Sequence, residues 1–196
     1  MSALAVEHQP PSGDDWDSVV RLWEGMDVPK GCKVEIIEGI VTVAPPPVND
    51  HNLIAELVQS RLYAAIPSDW GVFQTLNVEV PSHSGLYIPD LAVVPRSEVP
   101  RGESFAPAGV AKLVVEVTSR STAVNDRVAK LKGYAAAGVP LYLLIDPHAT
   151  GSPTIHLYGE PNDGKYRVLY AGKFGEAVHL PDPFDLTLDT FSFPRP

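Results

Sequence analysis

Two acids stand in apolar company, where a carboxylate is expensive. Asp90 follows Pro89 at the head of the run "DLAVV", and Glu116 sits inside "LVVEV". Burying an unpaired charge costs on the order of several kcal/mol. If the two runs are neighbouring strands, the carboxylates meet at one end of a sheet. Close carboxylates repel, and one pKa rises. A divalent cation removes that conflict, and oxygen-only ligation with room for water suits magnesium or manganese. Such an ion can bind a phosphate oxygen and acidify a bound water. A plainer reading stays open. Asp90 could cap a turn after proline. Glu116 shares a strand face with Val114 and Thr118, opposite Leu113, Val115 and Val117, and if that face is wet it needs no partner.

The elements that must position these acids follow from periodicity. "DWDSVVRLWEGM" has helical spacing. "KVEIIEGIVTVAP" is extended, with Glu38-Gly39 as a hairpin turn. From His51 to Ile66, Leu53, Ile54, Leu57, Val58 and Leu62 form an amphipathic stripe, with Asn49 and Asp50 as capping types. "GVFQTLNVEVP" and "GLYIPDLAVVP" each read as one strand, and residues 112–118 as another. A helix capped by Ser121 or Thr122 runs to about Ala137, with Gly138 as its stop. "VPLYLLID" is a buried strand, made parallel to 112–118 by the helix crossing between them. "TIHLYGE" and "KYRVLYAG" form a hairpin around "PNDG", and "FDLTLDTFSF" a terminal edge strand. The expectation is a tail over residues 1–14 and one α/β domain over 15–196, with a mixed central sheet flanked by helices and extra β-hairpins.

The ordered series "IPDLAVV", "LVVEVTSRST" and "DRVAKLKGYAAAGVPLYLLID" resembles the Uma-type putative restriction endonuclease family of the PD-(D/E)xK nuclease superfamily. The likeness runs from about Glu35 to Phe193. It implies a restriction-endonuclease-like fold, Asp90 and Glu116 as metal ligands for Mg2+ (or Mn2+), and DNA as substrate. It also implies a lysine two residues beyond the glutamate. That residue is Thr118, which carries no charge. In the family the lysine is sought on the following helix, where Asp126, Lys130 and Tyr134 match the pattern. Lys130 then becomes the third catalytic candidate. Against this, Val124, Val128, Leu131 and Ala135 define the expected buried stripe, with Lys130 on its flank. Asp126 and Lys130 read equally as a surface i,i+4 pair, and Lys132 is the reserve. Glu38 is either a third acid or a turn residue. His51, matching a family histidine, either touches the site or caps its helix.

Composition bounds the rest. The net charge of −9 over 196 residues opposes broad non-specific nucleic-acid binding. A local patch, Arg120, Arg127, Lys130 and Lys132 against Asp126 alone, points the other way. Cys32 is the only cysteine, so an internal disulfide and four-cysteine zinc sites are excluded. No HExxH, GxGxxG, GxSxG or Walker pattern occurs. The N-terminus lacks a signal-peptide pattern and no run suits a membrane span, so the expectation is a cytoplasmic protein. The leading expectation is a metal-dependent endonuclease acting on DNA. The alternative is a catalytically inactive nuclease-like fold that binds nucleic acid or protein. Exposed C-terminal hairpins offer edges for a homodimer.

Overall fold

The computed structural model describes residues 13–195. The tail expected over 1–14 lies outside these up to residue 12, and Gly13 and Asp14 already belong to the first helix. The chain runs α1 (Gly13–Glu24), β1 (Lys33–Ile37), β2 (Ile40–Ala44), α2 (Asn49–Ala65), β3 (Trp70–Phe73), β4 (Val78–Val80), β5 (Gly85–Tyr87), β6 (Leu91–Pro95), β7 (Ala106–Pro107) and β8 (Leu113–Val117). A π-helical stretch, Asn125–Lys130, continues into α3 (Leu131–Ala136). Then follow β9 (Leu141–Asp146), β10 (Thr154–Asn162), β11 (Lys165–Lys173), β12 (Ala177–Leu180) and β13 (Leu186–Asp189).

Six strands form the central mixed sheet, in the order β11-β10-β9-β8-β6-β3. Its pairs are antiparallel except β8 with β9, which are parallel as the crossover helix requires. A second sheet has the order β2-β1-β5-β4-β7, and β12 and β13 form a separate ribbon. Two runs that read as single strands are therefore each divided between the sheets. "GVFQTLNVEVP" supplies β3 to one and β4 to the other, and "GLYIPDLAVVP" supplies β5 and β6. Proline lacks the N–H a ladder needs, and the second division falls at Ile88-Pro89-Asp90. The terminal strand pairs with β12 instead of edging the main sheet.

Both faces of the central sheet are covered. Leu91, Val93, Leu113, Val115 and Val117 pack against Ile54, Val58 and Leu62 of α2 and against Val178, Leu180, Leu186 and Leu188 of the ribbon. On the opposite face Ala92, Val94, Val114, Tyr142 and Leu144 meet Ala129 and Tyr134 of the crossover helix and Val78, Val80 and Tyr87 of the second sheet. Glu116 lies on this second face. It is not wet: the residue is 2% exposed.

The helix ends differ from expectation in instructive ways. Val48 holds the cap position of α2 without a side-chain bond, and Asn49 and Asp50 are its first helical residues. At the crossover helix Ser119 and Thr122 cap reciprocally. Ser119 Oγ accepts the Thr122 N–H at 3.2 Å, and Thr122 Oγ1 accepts the Ser119 N–H at 3.1 Å. At the far end Gly138 (φ 73°) closes the helix, with Val139 N–H on Tyr134 O at 3.1 Å and Gly138 N–H on Ala135 O at 3.1 Å. The expected apolar stripe fails in the first half of this helix. Val124 and Val128 are 72% and 46% exposed, while Asp126 and Lys130 are buried. The π turn re-phases the helix, and the face it turns inward looks onto carboxylates instead of aliphatics.

Candidate active site

Register builds the site. Leu91 pairs with Val115 across β6 and β8, so Asp90, one residue before β6, stands opposite Glu116 on the same face. The Val117 N–H donates to Asp90 Oδ2 at 2.8 Å. His51 Nε2, from the first turn of α2, lies 3.0 Å from the same oxygen. Lys33 pairs with Asp90 Oδ1. Lys33 and Glu35 alternate along β1 onto one side, and both hold the point where the chain changes sheet. Glu35 Oε1 accepts the Ile88 N–H at 2.6 Å, and Lys33 Nζ donates to the Ile88 carbonyl at 3.2 Å.

Lys130 closes the site from the crossover helix. Its ammonium is 2.8 Å from Glu35 Oε1, 3.0 Å from Glu116 Oε1 and 3.3 Å from Asp126 Oδ1, and its side chain is 3% exposed. Three surrounding carboxylates match its three N–H donors in number. Tyr134 donates to Glu116 Oε1 at 2.9 Å, with its ring edge-on to Tyr87. Asp90, Glu116, Lys33, Glu35, His51 and Lys130 all line one cleft of ≈ 440 Å³, together with Pro45–Pro47 and Ser119–Thr122.

The charges do not balance. Four buried carboxylates, Glu35, Asp90, Glu116 and Asp126, outnumber the two ammonium groups that face them, Lys33 and Lys130. The pKa values register this. Burial pushes Glu116 up to about 8; Lys130 opposes the rise, and Asp126 and Asp90 add to it. Burial also raises Asp126, against Lys130. Asp90 goes the other way: burial would raise it, but the His51 hydrogen bond and the charge of Lys33 hold it well below the usual carboxylate range. Burial opposes the charge on Lys130, yet Glu116, Glu35 and Asp126 together raise its pKa well above the ordinary lysine value.

A divalent cation fits this donor set. Asp90 and Glu116 are hard oxygen donors, and a dication would cancel the excess charge. Among the described residues no group of three or more His, Cys, Asp or Glu side chains converges as a ready-made metal cage. The protein would therefore supply two carboxylates and leave other positions to water and substrate. The Lys33 ion pair with Asp90 would have to be exchanged for the metal.

The sequence-derived candidates fall as follows. Asp90, Glu116 and Lys130 come together. His51 touches the site through Asp90. Glu38 is exposed in the β1–β2 turn (φ 50°), a turn residue. Lys132 is exposed and outside the cleft. Thr118 is 1% exposed and donates to Asp146 Oδ1 at 2.7 Å; the other Asp146 oxygen takes Arg127 Nε at 2.7 Å and Nη2 at 2.6 Å. The expected basic patch is thereby reduced, since Lys130 and Arg127 are both paired with acids. Sequence reasoning missed Glu35 and Lys33. The signal was available: two charges on one face of the short apolar strand "KVEII" pose the same problem as Glu116 in "LVVEV".

A mixed sheet with two acids facing each other across neighbouring strands, backed by a lysine-bearing crossover helix, has the architecture of a restriction-endonuclease-like fold. A crystal structure titled as "a putative nuclease belonging to DUF820" from Anabaena variabilis shares it. The TM-score is 0.66 over 91% of this chain and 96% of that one, at 19% identity. The Uma2 family, described as "Putative restriction endonuclease", matches residues 19–190, and the chain belongs to it. No curated protein matches the chain. No helix among the described residues is long and apolar enough to cross a membrane.

Proposed function

We propose that this member of a nuclease family is a metal-dependent endonuclease that hydrolyses phosphodiester bonds in DNA, acting in the cytoplasm. The carrying observation is the pair Asp90, one residue before β6, and Glu116 on β8, opposed on one sheet face in a cleft where buried carboxylates outnumber ammonium groups. Asp90 and Glu116 would hold magnesium or manganese. When bound, that ion supplies Lewis acidity at the scissile phosphate and a water of lowered pKa. The Val117 N–H and His51 fix Asp90. Lys130, with Tyr134, holds one oxygen of Glu116 as a positioning group. Its effect on the reacting charge passes through that carboxylate.

A second reading has one specific support: Thr118 is tied to Asp146 and Lys130 is enclosed by acids, so the usual lysine position holds no free charge. On that reading the chain is a non-catalytic nuclease-like module that binds nucleic acid or protein. Titrating Mg2+ and Mn2+ against single- and double-stranded DNA, with wild type and Asp90→Ala, separates the two. We expect metal-dependent cleavage in wild type and none in the variant. Cleavage that survives the substitution would sink the site assignment. A wild type that neither binds metal nor cleaves would favour the second reading.

A further inference from the structure

Lys130 and Lys33 are both within reach of the candidate metal ligands, but they are placed differently. The Lys130 ammonium lies among Glu35, Glu116 and Asp126, with its side chain 3% exposed. It donates to Glu116 Oε1 at 3.0 Å and lies within ion-pair distance of Glu35 and Asp126, so turning to a ligand would weaken its hold on buried carboxylates. Lys33 rises from β1 with its side chain 26% exposed. Its two partners are Asp90 Oδ1 and the Ile88 carbonyl, which leaves one N–H free for the cleft that it lines. A lysine on a flexible four-carbon stem can exchange an ion pair for a phosphate without moving the backbone.

We propose that Lys33, and not Lys130, is the ammonium group that contacts the substrate phosphate, with Lys130 confined to positioning Glu116. This rests on the reading of the cleft as a phosphodiesterase site. It assigns the role vacated at Thr118 to β1 of the second sheet, in place of β8 or the crossover helix. The β1 strand is suited to it. Its neighbour on the same face, Glu35, is locked to the Ile88 N–H and to Lys130, so the strand that carries Lys33 is held still while its ammonium keeps one N–H for the cleft. On this assignment the phosphate competes with Asp90 for Lys33.

The test is the salt dependence of DNA binding, followed by fluorescence anisotropy of a short labelled duplex with calcium held constant and potassium chloride varied, alongside magnesium-dependent cleavage. Each phosphate contact adds about 0.9 to the slope of log K against log salt. Lys33→Gln should lower that slope by about 0.9 and cut the cleavage rate roughly 100- to 1000-fold, the usual effect of losing one donor to a reacting oxyanion. Lys33→Arg should restore the slope. Lys130→Met should lower the melting temperature and, where folded, leave the slope unchanged. If Lys33→Gln binds with the wild-type slope and cleaves at the wild-type rate, the assignment to Lys33 is wrong. If wild type itself shows neither salt-dependent binding nor metal-dependent cleavage, the phosphodiesterase reading beneath it is wrong, and the two failures are distinct.

Discussion

At the scale of single residues, the site turns on how buried charge is compensated. Glu116 is the expensive carboxylate of an apolar strand, and its compensation comes from Lys130 and Tyr134, each bonded to the same oxygen. Thr118, on the same strand face, is no vacant slot awaiting a lysine. It is closed over and serves to hold Asp146, which in turn holds Arg127. Thr118→Lys, the change that would restore the usual motif, should therefore harm the protein. It forces a longer side chain, with two more heavy atoms and another ammonium, into a site that is 1% exposed. Overpacking costs about 1–3 kcal/mol, and losing the hydrogen bond to Asp146 adds about 1 kcal/mol. Urea denaturation should show a lowered midpoint, with no gain in cleavage over wild type. A variant as stable as wild type and faster in cleavage would mean that position 118 is open after all.

At the scale of elements, much was legible in the sequence, and the failures share a cause. The β1–β2 hairpin was readable from Glu38-Gly39, and both residues have positive φ, 50° and 80°, as a two-residue turn matching strand twist requires. Gly138 as a helix stop and the parallel pairing of β8 with β9 followed from local rules. What was not legible was tertiary. Nothing local says that β5 and β6 enter different sheets. Pro89 marks a break, but not its direction. Likewise the stripe Val124, Val128, Leu131 and Ala135 follows from an ideal 100° step, which assumes that an inward face is apolar. Here the inward face carries Asp126 and Lys130 because the surface it meets is acidic, and a π turn sets the phase. Val124→Ala distinguishes these cases. Full burial of a valine is worth about 1.5–3 kcal/mol, so loss of a core valine would be conspicuous. At an exposed helical position alanine is neutral or better. Chemical denaturation should give a stability within about 0.5 kcal/mol of wild type.

At the scale of the whole molecule, a chain of net charge −9 carries its one described cleft among acids, and its local basic residues are largely spent on those acids. Of the expected patch, Arg120 lines the cleft and Lys132 is exposed outside it. On the endonuclease reading, long-range attraction to a duplex would therefore be weak, and binding would rely on contacts made inside the cleft. On the same reading, each chain offers one Asp90–Glu116 pair, which would act on one strand at a time. Cutting both strands at one place would then call for a second copy, and a homodimer would be recruited on the DNA. A supercoiled circular plasmid separates these events. With magnesium present, the nicked circle should form first, at a rate linear in protein concentration. Conversion to the linear form should follow at a rate that rises with the square of protein concentration. If linear product instead appears from the outset, in proportion to protein and without a nicked intermediate, the protein arrives as a preformed dimer with both clefts engaged.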